Sequence, residues 1–370
     1  MQSTTGPENL MEPTKYKITW KTILLPVIGI LAFLIYLYLF NVDIPTIVST
    51  AGIIDLPLYL LAMLFVLLDT LFYAVSWRLL LNFLSVKISI AKAYLFVWYG
   101  VFVDTIIPAE SLSGEISRVY LVEREQNGTS GKVVASLATH RLIGMGINVT
   151  GLIVGIVALL GQRQVSELIF GLTVFLASAT TFFLFLLVFI CFREKWTLSI
   201  IDAILRLLQW FGHGRWKISK IREEVIKATR MFHDSMKEFR RAHKALFGSL
   251  CFSIASWFSS LSVTYLVFLA LDYQVQWSVI LVTCSIVTAV KSIPVGIPFE
   301  VGLPEMTMTT LYVLLGVPPD IAATSTILSR ILTLWLRFFI GFSAQQWLEL
   351  RRVHDLKSSW RERAMSRTLW

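Results

Sequence analysis

Pro108-Ala-Glu110-Ser-Leu-Ser-Gly114-Glu115-Ile-Ser-Arg118 interrupts one apolar run of this 370-residue chain, and Pro294-Val-Gly296-Ile-Pro298-Phe-Glu300-Val-Gly302-Leu-Pro304-Glu305 interrupts another in the same manner. The second stretch holds three of the chain's eleven prolines within eleven residues. Proline removes a backbone donor and clashes with the preceding turn, and glycine adds backbone freedom, so neither stretch continues a regular helix. Residues 93–107 and 278–293, which lead into the breaks, reach only about 22 and about 24 Å as helix, short of the roughly 30 Å hydrocarbon core of a bilayer. Broken backbone at membrane depth persists only where protein or a wet cavity surrounds it.

The rest of the chain supplies that setting. With 56% hydrophobic and only 15% charged residues, it lacks the roughly one-quarter charge that covers a soluble domain. Soluble catalysis, nucleic-acid binding and disorder are excluded together. Eight apolar runs lie near 22–41, 57–76, 89–107, 132–161, 167–192, 246–271, 277–293 and 306–345, the last broken by Pro318-Pro319. Trp20, Trp77, Trp277 and Trp347 stand at their ends, where an aromatic belt meets the headgroups.

Lysine and arginine set the topology. Three precede the first run (Lys15, Lys17, Lys21), three flank 77–92 (Arg78, Lys87, Lys92), thirteen fill 193–245 and six occupy the tail from Arg351. If every run crossed once from inside, the thirteen would face outward, against the positive-inside rule. Parity is restored if 89–131 enters from the cytoplasm and returns, and 277–317 does so from the opposite side. The expected architecture is therefore all-α and polytopic, with about six full spans and two re-entrant helical hairpins. Its predicted divisions are a cytoplasmic tail (1–21), a first membrane region (22–192), a cytoplasmic basic segment (193–245), a second membrane region (246–346) and a basic tail (347–370), both termini being cytoplasmic.

A second regularity ties the hairpins together. Glu115 and Arg141 are 26 positions apart, Glu305 and Arg330 25 apart, and each arginine sits in a similar setting, Leu-Ala-Thr-His-Arg-Leu-Ile against Thr-Ile-Leu-Ser-Arg-Ile-Leu. Each half reads as short helix, break, return helix and long span with an arginine near its start. Opposite sides of insertion make this an inverted repeat, and paired Gly/Pro-interrupted segments point to a transporter's binding site.

An ionised side chain at membrane depth costs about 2.5–3.5 kcal/mol on insertion scales. Glu115, Arg118, Arg141, Glu305 and Arg330 are therefore expected to face a cavity or one another, with Glu110 and Glu300 as weaker members of the set. Arginines fork onto phosphate and helix N-termini add positive potential, while glutamates hold the arginines of an empty site. Pro108, Gly114, Pro294, Gly296, Pro298, Gly302 and Pro304 are the predicted backbone breaks. Asp69 and Asp104, each inside an apolar run, read either as proton relays or as hydrogen-bonded packing groups, and Lys291 as a counter-ion for Glu300 or Glu305. Cys191, Cys251 and Cys284 read as small core residues. The five histidines lack ligand spacing, so neither metal nor cofactor is expected.

Gly114-Glu115-x-x-Arg118-x-Tyr120-Leu121 after Pro108, Arg141, the Pro/Gly-rich stretch to Glu305, and Arg330 followed by Trp335 and Gly341 resemble the flippase-like, lysylphosphatidylglycerol synthase transmembrane domain family. That resemblance implies a multi-spanning protein that moves phospholipid or lipid-linked sugar headgroups between leaflets. Glu110 with its neighbouring serines, and Pro298 with Glu300, depart from relatives that are more basic or richer in glycine there. The departures make the site more acidic, so an anionic phospholipid is not assumed as substrate. Lysyl transfer in that family needs a large soluble domain, and the 24 residues after the last run leave no room for one; a non-enzyme is expected.

Segment 193–245 alternates apolar with basic residues and is expected to form interfacial helices on the anionic cytoplasmic leaflet, a docking surface for a cytosolic partner being the alternative. The reading is a flippase-like transporter in a prokaryotic cell membrane, with membrane lipids or lipid-linked glycans as partners and no nucleic acid. An ion- or proton-coupled small-molecule transporter and an intramembrane lipid-modifying enzyme are the alternatives.

Overall fold

Asp55 opens the first described helix, its carboxylate accepting the Leu58 N–H at 3.1 Å, and Pro57 follows where its missing donor costs nothing. The computed structural model describes residues 54–107, 112–161, 167–199, 218–291 and 302–351, with positions 45, 49, 52, 201 and 203. Every described element is helical: α1 Leu56–Phe83, α2 Ile90–Ile106, α3 Leu112–Glu125, α4 Ser130–Gly161, α5 Glu167–Phe192, α6 Ile218–Phe239, α7 His243–Ala270, α8 Trp277–Lys291, α9 Leu303–Leu314 and α10, which begins at Pro319 and runs to Arg351. Among the described residues, five helices are long and apolar enough to cross a bilayer: α1, α4, α5 over Phe170–Phe192, α7 and α10. The expected span at 22–41 lies outside the described residues.

The long helices alternate in direction. α1 and α7 lie antiparallel, with Asp55 N–H donating to Ala270 O at 2.8 Å at one end and Ser76 Oγ within 2.8–2.9 Å of Ser249 O, Ser249 Oγ and Ser253 Oγ toward the other. Small hydroxylated residues let two backbones approach and satisfy each other's polar groups where no water competes. Trp77 Nε1 donates to Ser136 Oγ at 3.1 Å, joining the end of α1 to the start of α4. One end of the bundle thus carries the C-termini of α1, α5 and α10 and the N-termini of α4 and α7, with Lys87, Lys92, Lys132, Arg193, Arg240, Arg241 and Lys244. Asp55, Glu167, Asp272 and Asp320 mark the opposite end.

The short helices pair within this frame. α2 and α3, 17 and 14 residues long, run antiparallel: Lys92 Nζ meets Glu125 at 2.9 Å at the basic end and Asp104 meets Ser113 at 2.8 Å at the tip. α8 and α9, 15 and 12 residues long, have their base at the other end, where Tyr265 and Phe258 stack on Trp277 with centroids at 4.5 and 5.5 Å.

Each long helix that follows a hairpin also braces the other hairpin. A Cβ on Gly155 of α4 would lie 2.9 Å from Val282 of α8, and one on Gly341 of α10 would lie 2.7 Å from Trp98 O of α2. Phe102 of α2 completes that second crossing against Phe338 and Phe342, 5.4 and 5.6 Å away.

Helix α6 docks across the basic end, where Met236 and Phe239 are buried with Leu80, Leu84, Ala135 and Cys191. Gly131 permits the crossing, since a Cβ there would overlap Ala228 O. The outer face of α6 mixes Arg222, Lys227 and Arg230 with Glu223, Glu224 and Asp234 and is not uniformly basic. Cys251 corrects one expectation: it is exposed on the outside of the bundle, while Cys191 is buried and Cys284 partly so.

Candidate functional site

Among the described residues, three acid–base pairs sit inside the bundle. The first joins the hairpin α2–α3 to α4: Arg141 Nη1 lies 3.4 Å from Glu115 Oε1, and the two side chains are 25% and 19% exposed. Glu115 stands in the first turn of α3, where the unpaired N–H groups favour a negative charge. The tip is fixed from the neighbouring helix, because Asp104 Oδ1 of α2 accepts the Gly114 N–H at 2.6 Å and lies 2.8 Å from Ser113 Oγ. Gly114 itself belongs to the first turn of α3, and the absence of a Cβ there lets Asp104 and Gly100 O approach.

The second pair repeats the arrangement. Arg330 Nε donates directly to Glu305 Oε1, and Glu305 Oε2 accepts the Gly302 N–H at 2.7 Å. Gly302 has φ of 101°, a left-handed geometry that glycine adopts without steric cost, and this turn aims its N–H back at the carboxylate. Pro304 follows in the first turn of α9. Arg330 and Glu305 are only 8% and 7% exposed, so this pair is closed where the first is reachable. Arg141 and Arg330 are each the twelfth residue of their long helix, counted from Ser130 and Pro319.

Arg118 stands one turn beyond Glu115 on α3 and makes its hydrogen bonds outside both pairs. It is 4% exposed, donates through Nη1 to Tyr73 OH at 2.8 Å and through Nε to Gly114 O at 3.2 Å. Its guanidinium also stands 5.4 Å from the Tyr73 ring and 5.7 Å from the Trp77 ring. His140 packs edge-on against Tyr73 at 4.3 Å, with Ser253 Oγ 3.5 Å from Nε2.

The third pair has no warning in sequence spacing. Asp69 of α1 binds Arg337 of α10 through Oδ2 and accepts the Ser256 hydroxyl of α7 at 2.5 Å through Oδ1. Asp69 and Ser256 are each the fourteenth residue of a 28-residue helix, so they meet at the midpoint of the antiparallel pair. Between Arg330 and Arg337 the helix widens into a π-helical stretch, Ile331–Leu336. Residues seven apart in an α-helix point nearly the same way; the wider turns rotate Arg337 toward α1 and leave Arg330 on α9.

Pro108, Glu110, Pro294, Gly296, Pro298 and Glu300 lie outside the described residues. Lys291 is the last residue of α8. Arg337, Tyr73 and Ser256 were missed by sequence reasoning; Arg337 had one signal, being the only charged residue of the last apolar run between Ile331 and Leu348. No cluster of three or more His, Cys, Asp or Glu suited to a metal occurs among the described residues.

The chain is 24% identical over 325 residues to a UPF0104 membrane protein of Pyrococcus horikoshii, covering 87% of this chain and 95% of that one. A UPF0104 membrane protein of Methanocaldococcus jannaschii is 25% identical over 350 residues, 93% and 98% of the two chains. One from Methanothermobacter thermautotrophicus is 21% identical over 262 residues, 70% and 77% of the two. The lysylphosphatidylglycerol synthase TM region family matches residues 23–341, from the first apolar run to Gly341 of α10. This multi-pass membrane protein belongs to that family.

Proposed function

We propose that the protein is a flippase-like transporter that moves a phospholipid or lipid-linked sugar headgroup between leaflets, without transferring a chemical group. The observation that carries this reading is the pair of Glu–Arg contacts at matching places in two hairpin units, one reachable and one closed. The two units, α1–α4 and α7–α10, have helices of 28, 17, 14 and 32 residues against 28, 15, 12 and 33. In this proposal they form an inverted repeat about an axis near Asp69 and Ser256. The two hairpins enter the bilayer from opposite faces and return, and the basic end is cytoplasmic.

A carboxylate on an arginine is a stand-in for the anion that arrives. A headgroup phosphate offers the same geometry with more charge, so it displaces Glu115 from Arg141. The acyl or isoprenoid chains stay in lipid while the headgroup passes the seam between hairpins. Transfer to the second unit requires Glu305 to release Arg330, and rocking of one unit against the other opens one pair as it closes the other.

Proteoliposomes carrying a headgroup-labelled phospholipid test the reading, with a membrane-impermeant quencher scoring lipid that has changed leaflet. Wild type accelerates exchange. Arg141→Gln and Arg330→Gln each slow it by about tenfold or more, the effect of losing one charge-assisted contact of about 1.5–3 kcal/mol. Exchange no faster than in protein-free vesicles, over phospholipid and lipid-linked sugar alike, would sink the proposal.

A further inference from the structure

The hairpins differ at their bases. At the base of the first, Lys92 Nζ meets Glu125 at 2.9 Å and Gln126 Nε2 donates to Lys87 O at 2.6 Å, tying the α1–α2 turn to the end of α3. At the base of the second, the α7–α8 turn and the α9–α10 turn enclose an open cleft of about 400 Å³.

Backbone shape does not explain the difference. Ser85 and Asp272, each the second residue beyond its long helix, share a left-handed conformation with φ of 64° and 55°, and Gly128 and Gly316 share one with φ of 78° and 91°. The side chains explain it: Tyr273, Gln274 and Gln276 rim the second cleft over a floor of Val279, Leu315 and Val317. The volume lies within the roughly 300–1,000 Å³ range of small-molecule sites.

No charged side chain lines the cleft, so a phosphate or ammonium would find no counter-charge there. Gln274 and Gln276 are exposed, and no hydrogen bond ties either amide, or the Tyr273 hydroxyl, to the described protein. An amide presents donors and an acceptor side by side, as does a phenol, and this suits a ligand whose own groups both donate and accept. An apolar tail would leave all three unmatched. Sugar hydroxyls match them, and a sugar's C–H face suits the valine and leucine floor.

We infer that this cleft seats the hydroxylated sugar of a glycolipid headgroup, at the end of the bundle opposite α6. The inference rests on the flippase reading for its role, since the cleft stands where a headgroup emerges after passing the second hairpin. The Glu–Arg pairs handle charge within the bundle, and the cleft discriminates among headgroups by their neutral part.

The test uses the full chain in nanodiscs with monoglucosyl-diacylglycerol and phosphatidylglycerol of matched acyl chains at equal mole fraction, scored by native mass spectrometry of retained lipid. Glycosidic detergents are avoided because they present the same headgroup. Wild type should retain the glycolipid preferentially. The double variant Gln274→Ala, Gln276→Ala, which alters only exposed unbonded side chains, should lose about fivefold of that retention and keep its phospholipid retention. No preference in wild type, or equal preference in the variant, would overturn the inference. So would capture of methyl glucoside from water with no capture of the glycolipid. The outcomes separate from those of the transport assay: leaflet exchange without glycolipid retention refutes the cleft alone, and Gln-dependent retention without exchange refutes the flippase reading alone.

Discussion

Gly114 has no room for a methyl group, because the Asp104 carboxylate and Gly100 O occupy the place where a Cβ would stand. Gly114→Ala should therefore push α3 off α2, at about 1–3 kcal/mol, the usual range for overpacking. A lowered thermal midpoint with slower leaflet exchange would bear this out; an unchanged midpoint would show that the hairpin tip is looser than described. Asp69 and Arg337 are 12% and 23% exposed in their side chains, and breaking a buried pair at one end strands a charge at about 3–5 kcal/mol. Partial exposure of Arg337 puts Asp69→Ala at the lower end. Arg337→Met together with Asp69→Leu should recover much of the loss, and a double-mutant cycle with no coupling would deny the contact. Sequence reading singled out Glu115 with Arg141 and Glu305 with Arg330 by their matched spacing and similar settings, and the cost of charge at membrane depth left them facing either a cavity or one another. Asp69 and Arg337 are 268 positions apart, and only the folded bundle joins them.

At the scale of elements, α6 is held by groups that respond to pH. His233 is buried in its docked face, 2% exposed, with Nδ1 3.1 Å from Cys191 O at the end of α5. Burial pushes its pKa below the ordinary histidine value; Glu194 and Asp234 pull it up, and Lys237 pushes it down. A histidine whose folded pKa is depressed stabilises the fold while neutral. That contribution is present above about pH 6.5, the unfolded value, and is lost as pH falls below it. Protection factors across 222–239, with exchange referred to the intrinsic amide rate at each pH, should therefore fall below about pH 6.5 in wild type and lose that dependence in His233→Asn. Protection that stays flat in wild type would contradict the docking described. The amphipathic pattern of 193–245 announced a helix but not its partner, since a face fit for lipid is also fit for Leu80, Leu84 and Ala135. The break at Pro318-Pro319 was legible from proline alone, whereas nothing in Ile331–Leu336 signals a π-helical stretch, which depends on two arginines engaging different helices.

For the whole molecule, α1 and α7 run antiparallel, α4 braces α8 at Gly155, and α10 braces α2 at Gly341. Lys and Arg counts along the chain need no knowledge of contacts, and the described Lys87, Lys92, Lys132, Arg193, Arg240, Arg241 and Lys244 gather at one end of the bundle. The serine stripe of α7, at Ser249, Ser253 and Ser256, was present in the sequence at helical spacing, yet its partner on α1 emerged only from packing. The central claim is that two matching hairpins open toward opposite faces of the membrane. It is tested most directly in intact cells and inverted vesicles, with Cys191, Cys251 and Cys284 replaced and a single cysteine placed at Glu125 or at Gln276. These exposed hairpin-base positions are scored with a membrane-impermeant maleimide. The account predicts that Glu125→Cys reacts only from the cytoplasmic face and Gln276→Cys only from the outer face. Reaction of both from one face would contradict it.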